Sequence, residues 1–167
     1  MKAILFSLAF ISLLGNISAA QTEAAPAAAT TLAAVPAKLQ ELNYLTEARP
    51  AADASFYVYL CSASWCGPCR AIMPKVVEQY PAIKAAGGEI ILLCFDATPQ
   101  LCADYVKKYN AAFPVVMSSF RSAAKLGLPG FTTPRGIPNA VFVTADGKTL
   151  SNGHGATVLN WQAITSK

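Results

Sequence analysis

The sequence predicts an α/β fold in which a mixed central sheet carries helices on both faces. Short apolar runs, rich in aromatic and β-branched residues, alternate with longer segments of helical character, which is the pattern of parallel β-α-β units. Towards the C-terminus, the turn sequence Ala-Asp-Gly at residues 145–147 separates two further short runs and predicts an antiparallel hairpin. The 167 residues are 54% hydrophobic and 13% charged, so the chain can bury the core of one domain.

The N-terminal residues have the pattern of a cleavable secretory signal. A positive start at Met1-Lys2 precedes an apolar run over residues 3–14, which is too short to span a membrane. The small residues at 18–20 suit a signal peptidase. We therefore expect residues 1–20 to be removed and the protein to be exported, to a periplasm or to the outside of the cell. An uncleaved anchor is the alternative.

A linker and a short helix are predicted to follow. Residues 21–37 are rich in Ala, Thr and Pro and have no apolar periodicity, so we assign them to a linker. The folded domain is predicted to cover residues 38–167. Leucines spaced three apart predict an amphipathic helix over residues 38–48, which Arg49-Pro50 ends.

The first predicted β-α unit carries the chemistry discussed below. Residues 55–62 form a compact aromatic and aliphatic run, which predicts a buried strand. A helix is predicted over residues 67–86, interrupted at Pro74, weakened at Pro81 and closed by Gly87-Gly88.

The remaining elements follow from the same alternation of apolar runs and helical segments. Strands joined through helices are expected to be parallel, and the hairpin adds an antiparallel pair, which makes the sheet mixed. In order, we predict strand 89–95, helix 99–109, strand 113–117, short helix 119–126, hairpin strands 141–144 and 148–151, and a closing helix over 156–166.

Two cysteines three residues apart, Cys66 and Cys69, follow the first predicted strand. They can form a disulfide only if the backbone turns tightly between them, as it does in the first turn of a helix, and the intervening Gly-Pro suits such a turn. The unpaired N–H groups and partial positive charge of a helix N-terminus favour a thiolate, which is the attacking species in disulfide exchange. We therefore expect Cys66 to be the exposed nucleophile and Cys69, one turn deeper, to resolve the mixed disulfide.

A structural zinc site and an inert structural disulfide are the alternatives for this pair. Tetrahedral zinc needs four ligands, but the sequence has one Cys-x-x-Cys and a single histidine, His154, far along the chain, so we expect no metal. An inert disulfide does not explain why the pair follows a strand and begins a helix. Redox chemistry without a cofactor is therefore favoured. The basic residues are scattered, so we do not expect nucleic-acid binding.

The residues around the pair resemble the thioredoxin family. The match begins with its active-site motif, which here consists of Trp65, Cys66, Gly67, Pro68 and Cys69. It continues outside the motif, at positions where thioredoxins carry a helix-kinking proline, a cis-proline and a Gly-Ala pair; these are Pro74, Pro138 with Ile137 before it, and Gly155-Ala156.

An extended subfamily is more similar than plain thioredoxin. The stretch between Phe95 and Arg135 is longer than in thioredoxins, and residues 62–66 read Ser-Ala-Ser-Trp-Cys. Both features resemble bacterial periplasmic thioredoxin-like reductases and tryparedoxins. The resemblance implies a thioredoxin-like fold and a cis Ile137-Pro138 bond beside Cys66. It further implies that the backbone of Ile137 pairs with an extended substrate segment.

One residue departs from the thioredoxin pattern. Thioredoxins carry a buried acid in the strand before the motif, which accepts the proton of the deeper cysteine, and the matching position here is Leu60. We therefore expect proton transfer from Cys69 to use water or another group, and the resolving step to be slower or shifted in its pH dependence.

Three further cysteines are present. Cys94 ends a predicted strand and Cys102 lies in the next helix, so the intervening turn can bring them together as a structural disulfide in an oxidising compartment. Two buried thiols are the alternative. In the family's register, Cys61 and Cys94 point to opposite faces of the sheet, so we expect Cys61 to be free and buried.

These observations together predict an exported thiol–disulfide oxidoreductase that exchanges disulfides with protein substrates. Gly-Pro between the cysteines resembles reducing thioredoxins, so we expect reduction rather than oxidation. Reduction outside the cytosol needs an electron source, which we expect to be a membrane-embedded thiol donor, and we expect a monomer. The alternative is a binding or chaperone module of the same fold with a mostly static Cys66–Cys69 disulfide.

Overall fold

A five-stranded mixed sheet lies at the centre of residues 33–166, the part of the chain that this computed structural model describes. The predicted signal segment, residues 1–20, and most of the predicted linker lie outside it. The strands are β1 Phe56–Ser62, β2 Gly88–Cys94, β3 Val115–Met117, β4 Asn139–Thr144 and β5 Thr149–His154. Their order is β3-β2-β1-β4-β5, with β1, β2 and β3 parallel and β4 antiparallel to both β1 and β5.

Helices cover both faces of this sheet. They are α1 Ala34–Gln40, α2 Gly67–Ala85, α3 Pro99–Lys108 and α4 Trp161–Thr165, together with 3₁₀ helices at Ala123–Leu126 and Gly155–Asn160. Both parallel connections step across the sheet in the same direction, so right-handed crossovers place α2 and α3 on the same face. The predicted fold class, a mixed sheet with helices on both faces, is confirmed.

Two apolar clusters form the core, one on each face. Val58 and Leu60 of β1 pack into the cluster that contains the buried residues of α2 and α3, whereas Tyr59 and Cys61 pack into the cluster that contains those of α1. This alternation follows from the two-residue period of a strand. All seven residues of β1 and of β2 are buried, as expected for central strands covered by helices on both sides.

The first helix differs from the prediction of residues 38–48. It covers Ala34–Gln40 and so begins inside the predicted linker, because Val35 and Leu39 are four residues apart and fully buried on one side of it. The later leucines belong to a loop that follows the sheet edge, where the Leu45 N–H donates to the carbonyl of Val115 over 2.8 Å. The helical spacing of these leucines therefore belongs to a half-buried loop rather than to a longer helix.

Two other helices differ from the prediction in whether they are continuous. The structure has α2 as one helix of 19 residues that contains both Pro74 and Pro81, so neither proline interrupts it. Each proline removes one backbone donor, and the packing of α2 against the sheet outweighs that loss. The predicted closing helix is instead the 3₁₀ helix Gly155–Asn160 followed by the short α4.

Within the described residues, no helix has both the length and the apolar character needed to cross a membrane.

Candidate active site

The two cysteines of the motif lie at the start of α2, where β1 and a short loop deliver them. Cys66 is the N-cap residue of α2, with extended backbone angles, and Pro68 lies in the first turn, where a missing N–H has no cost. Cys66 and Cys69 form a disulfide, with their Cα atoms 5.2 Å apart. The backbone N–H of Cys69 donates to Cys66 Sγ over 3.2 Å, so the helix N-terminus is directed at the outer sulfur.

The surroundings of the disulfide are asymmetric. Cys66 retains 5% of its surface and Cys69 none, so a partner sulfur reaches Cys66 first. Cys66 is less exposed than the sequence predicts, because neighbouring residues cover most of it. Trp65 is 59% exposed, and its indole N–H donates to the carbonyl of Phe95 over 3.3 Å. Because Trp65 directly precedes Cys66, this bond holds an exposed apolar ring close to the disulfide.

A second segment meets the motif from β4. The Ile137–Pro138 peptide bond is cis, and β4 begins at the next residue. The carbonyl oxygen of Ile137 lies 3.6 Å from Cys66 Sγ. The structure thus brings Cys66, Cys69, Trp65, Ile137 and Pro138 together, although Cys66 and Ile137 are 71 residues apart in the sequence.

Gly155 supports the cis segment from behind. Its N–H donates to the carbonyl of Pro138 over 2.9 Å, and a Cβ added at Gly155 would lie 2.6 Å from Pro138 Cβ and 2.9 Å from Ile72 Cδ1. Because the ring of Pro138 is rigid, the whole segment has to move away from Gly155.

We expect Gly155→Ala to lower the rate of disulfide exchange by about tenfold, together with a loss of about 1–3 kcal/mol of stability from overpacking. The measurement is kcat/KM for reduction of a protein disulfide, at a temperature where the variant is folded. Gly153→Ala is the matched control, because its Cβ would meet Thr157 at an ordinary 3.5 Å. Equal rates for the two variants would show that the position of Pro138 does not matter.

A buried carboxylate that the sequence analysis missed holds the loop before the motif. Asp96 is 4% exposed and accepts hydrogen bonds from the Ser64 backbone N–H, at 3.1 and 3.2 Å to its two oxygens, and from Ser64 Oγ–H at 2.6 Å. The available signal was an acid immediately after a buried strand. The carboxyl ends of neighbouring parallel strands meet at one sheet edge, and the motif follows β1 at that edge.

Leu60, at the position of the family's buried acid, packs inside the core. It is fully buried in the cluster that contains Met73 and Val76 of α2. The buried carboxylates among the described residues are Glu89, at the start of β2, and Asp96. Neither carboxylate belongs to the apolar cluster that contains Leu60.

The three remaining cysteines lie as follows. Cys94 at the end of β2 and Cys102 in α3 form a disulfide, with Cα atoms 6.3 Å apart. Sulfur and carboxylate atoms of Cys94, Asp96 and Cys102 all lie within 4.8 Å of one another. Because the two sulfurs are bonded to each other, Asp96 is the only one of these three residues whose ligand atoms could still coordinate a metal ion. Cys61 is unpaired and fully buried on the opposite face, and its burial raises the pKa of its thiol to about 12.

A shallow cleft of about 180 Å³ adjoins the motif. It runs between the start of α2 and the face of α3. Its lining combines apolar, polar and charged side chains, which are Ser64, Arg70, Leu101, Asp104, Tyr105 and Lys108. Ser64 and Arg70 flank the motif in sequence, so the cleft lies beside it.

Comparisons with known proteins agree with this geometry. A family model described as Thioredoxin-like matches residues 55–149, which include the motif and the cis segment. The chain is 36% identical over 100 residues to the probable nucleoredoxin 1 of Arabidopsis thaliana, an alignment that covers 59% of this chain and 16% of that protein. It is 32% identical over 87 residues to the thiol-disulfide oxidoreductase ResA of Bacillus cereus, covering 52% of this chain and 47% of ResA. The chain thus spans less than half the length of these relatives.

Solved structures with a similar fold include a DsbF homologue from Corynebacterium diphtheriae. That structure has a TM-score of 0.62 and 18% identity, with 75% of this chain and 81% of the other covered. A thioredoxin from Wuchereria bancrofti has a TM-score of 0.54 and 25% identity, covering 68% of this chain and 80% of the other.

Proposed function

Since this chain belongs to the thioredoxin-like family, we propose that it is a thiol–disulfide oxidoreductase whose redox pair is Cys66 and Cys69. The observation that carries the proposal is their disulfide at the N-terminus of a 19-residue helix, with the Ile137 carbonyl oxygen 3.6 Å from Cys66 Sγ. A structural disulfide needs neither the helix N–H groups directed at one sulfur nor a backbone carbonyl beside it. Disulfide exchange uses both.

In the proposed reduction of a substrate, the Cys66 thiolate attacks one sulfur of the substrate disulfide. An S–S bond forms between Cys66 and the substrate, the substrate bond breaks, and the leaving sulfur takes up a proton. The Cys69 thiolate then attacks Cys66 Sγ and releases the second substrate sulfur, which is also protonated. Two electrons pass to the substrate, and the protein is left with the Cys66–Cys69 disulfide.

The geometry assigns different tasks to the two cysteines. Negative charge on Cys66 is stabilised by the hydrogen bond that the Cys69 N–H donates to its Sγ and by the partial positive charge of the helix N-terminus. Cys69 is fully buried, so it attacks only a sulfur that is already bonded to Cys66. The Ile137 carbonyl, and the cis bond that holds it, provide a backbone acceptor for an extended substrate segment.

The substrates that we propose are disulfide-containing proteins, and the compartment is outside the cytosol. Export is supported by the signal pattern of residues 1–20, and the persistence of two disulfides is consistent with an oxidising compartment. Reduction there requires electrons, for which a membrane-embedded thiol protein is the proposed donor. We propose that the protein acts as a monomer and without a cofactor.

The redox potential of the Cys66–Cys69 pair tests the direction of this reaction. We expect a value nearer to about −270 mV, as in reducing thioredoxins, than to about −120 mV, as in a strong oxidant. The protein is equilibrated in a series of glutathione and dithiothreitol redox buffers, trapped with acid and alkylated, and the fraction of modified Cys66 is measured by mass spectrometry. A potential near about −120 mV would reverse the proposed direction while leaving the exchange chemistry intact.

A binding or chaperone module with a mostly static disulfide is the second candidate. The observation that favours it is Leu60, because an apolar residue replaces the acid that assists the deeper cysteine in the family. A static disulfide predicts that the protein fails to reduce insulin with dithiothreitol as electron donor, whereas the oxidoreductase reduces it.

A further inference from the structure

The disulfide between Cys94 and Cys102 has an environment that suits redox chemistry. Cys94 Sγ lies 3.2 Å from Oδ2 of the buried Asp96. Cys102 lies near the N-terminus of the ten-residue α3, which Thr98 caps, and helical side chains lean towards the N-terminal end. One sulfur therefore lies beside a carboxylate that can accept a proton, and the other lies near the positive end of a helix, which stabilises a thiolate and so favours thiol–disulfide exchange.

The same carboxylate supports the approach segment, residues 62–65, which leads into the motif. Both oxygens of Asp96 accept from Ser64. Two further bonds join the segment to Phe95, whose N–H donates to the Ser62 carbonyl over 2.8 Å and whose carbonyl accepts from Trp65. The residues directly after Cys94 thus hold the backbone that positions Cys66.

We propose that Cys94–Cys102 is a second redox-active disulfide, and that its reduction by a dithiol lowers the reactivity of Cys66 through Asp96. The effect on exchange rests on the function proposed above for Cys66 and Cys69. The reducibility of Cys94–Cys102 does not depend on that function.

The proposed step consumes one external dithiol. A thiolate of the dithiol attacks Cys94 Sγ, the bond to Cys102 breaks, and Cys102 leaves as the thiolate that the N-terminus of α3 stabilises, then takes up the proton that the donor released. The second thiol of the donor, deprotonated in turn, resolves the mixed disulfide, and its proton passes to Cys94. Two electrons and two protons enter the protein, and the donor becomes a disulfide. Because both sulfurs are fully buried, the step requires local opening of the first turn of α3 and is slower than exchange at Cys66.

Reduction changes what Asp96 accepts. In the disulfide, Cys94 Sγ carries no hydrogen, so Oδ2 is available to the Ser64 N–H at 3.1 Å. In the reduced pair, the Cys94 S–H can donate to that same oxygen, which lies 3.2 Å from Sγ in the disulfide, and a second donor on Oδ2 weakens its bond to the Ser64 N–H. The approach segment then loses part of its anchor, the N-cap geometry at Cys66 loosens, and less of Cys66 is thiolate at neutral pH.

Thiol trapping tests the reducibility of the second pair. The Cys66→Ser/Cys69→Ser variant removes the first pair, and it is incubated in dithiothreitol and then alkylated with excess iodoacetamide at neutral pH, both without denaturant. We expect Cys94 and Cys102 to become labelled together while Cys61, buried on the other face, stays unlabelled. Labelling of Cys94 and Cys102 only in step with Cys61 would mean that global unfolding exposes them, and it would overturn the proposal.

Two matched double variants test the coupling. Both Cys94→Ser/Cys102→Ser and Cys94→Ala/Cys102→Ala remove the disulfide, but only the serine pair keeps a hydrogen that can be donated to Asp96. With the first pair reduced, we expect iodoacetamide to alkylate Cys66 at least about threefold more slowly in the serine variant than in the alanine variant. When Asp96→Asn is added to both double variants, we expect their Cys66 alkylation rates to become equal.

Alkylation of Cys66 does not require a protein substrate, so this measurement separates the two proposals. A slower serine variant in a protein that fails to reduce insulin supports the coupling and rejects the oxidoreductase. Equal alkylation rates in a protein that reduces insulin reject the coupling and leave the oxidoreductase standing.

Discussion

We expect Cys66→Ser to lower insulin reduction by at least about a hundredfold. A hydroxyl at this position is not ionised at neutral pH, so the helix N-terminus has no thiolate to stabilise, and the attacking species is lost. The fold is expected to persist, since serine can occupy an N-cap position and accept from the Cys69 N–H as the sulfur does. The measurement is the initial rate with dithiothreitol as electron donor, alongside the melting temperature.

Cys69→Ser gives the complementary result. Cys66 can still attack, but nothing releases the substrate, so we expect a stable mixed disulfide with protein substrates. Cys61→Ala is the matched control, because it also removes one thiol, from a residue that is fully buried and unpaired. Wild-type rates in the Cys66→Ser variant would reject the proposed nucleophile, and an inactive wild-type protein would favour the binding module.

The second substitution with a large expected effect concerns stability, and its site lies at the start of β2, opposite the end that carries Cys94. Glu89 has a fully buried side chain that accepts from Lys84 Nζ at 2.8 Å, from the Ala51 N–H at 2.9 Å and from the Tyr80 hydroxyl at 2.7 Å. This carboxylate joins the loop before β1, the end of α2 and the start of β2. Burial and the neighbouring Glu89 carboxylate raise the pKa of Tyr80, so the tyrosine remains a donor over the whole neutral range.

We expect Glu89→Ala to cost about 3 kcal/mol and to lower the melting temperature by about 10 °C. The substitution leaves the Ala51 N–H and the Tyr80 hydroxyl without their acceptor. Lys84 is 38% exposed and can turn to water, which keeps the cost at the lower end of the range for a broken buried pair. Denaturant unfolding followed by circular dichroism measures the change.

Two comparisons make this result specific. Glu41→Ala breaks the exposed ion pair between Lys38 and Glu41, in which the Glu41 side chain is 64% exposed. We expect this substitution to lower the free energy of unfolding by less than about 0.5 kcal/mol. Glu89 is five residues from Cys94 along β2, about 17 Å, so the folded Glu89→Ala variant is expected to keep its exchange rate. A cost similar to that of Glu41→Ala would show that the buried network adds little to stability.

Strong local patterns in the sequence predict most of the fold. The predicted bounds of β1 and β2 differ from the observed ones by one residue at each displaced end, because central strands form nearly continuous apolar runs. The hairpin follows from its turn sequence. The first helix could not be placed correctly, because the leucines of a half-buried loop along the sheet edge have the same spacing as those of a helix.

The candidate site likewise has a part that the sequence predicts and a part that it does not. The motif and its helix are local in sequence, and the cis position came from a family resemblance, so both could be expected. The role of Asp96 in holding Ser64 could not, because it depends on the parallel register of β1 and β2, which brings residues 32 apart into contact. Long-range hydrogen bonds of this kind leave no periodic pattern in a sequence.

The buried thiol of Cys61 has a consequence for how long the protein survives. In the folded state its burial keeps it protonated and out of reach, so it cannot attack either disulfide. Once the chain unfolds, its pKa returns to that of an ordinary thiol, and a free nucleophile meets two disulfides on one flexible chain. Non-native pairings then form and block refolding. The working lifetime of the oxidised protein is therefore governed by its rate of unfolding rather than by its equilibrium free energy of unfolding.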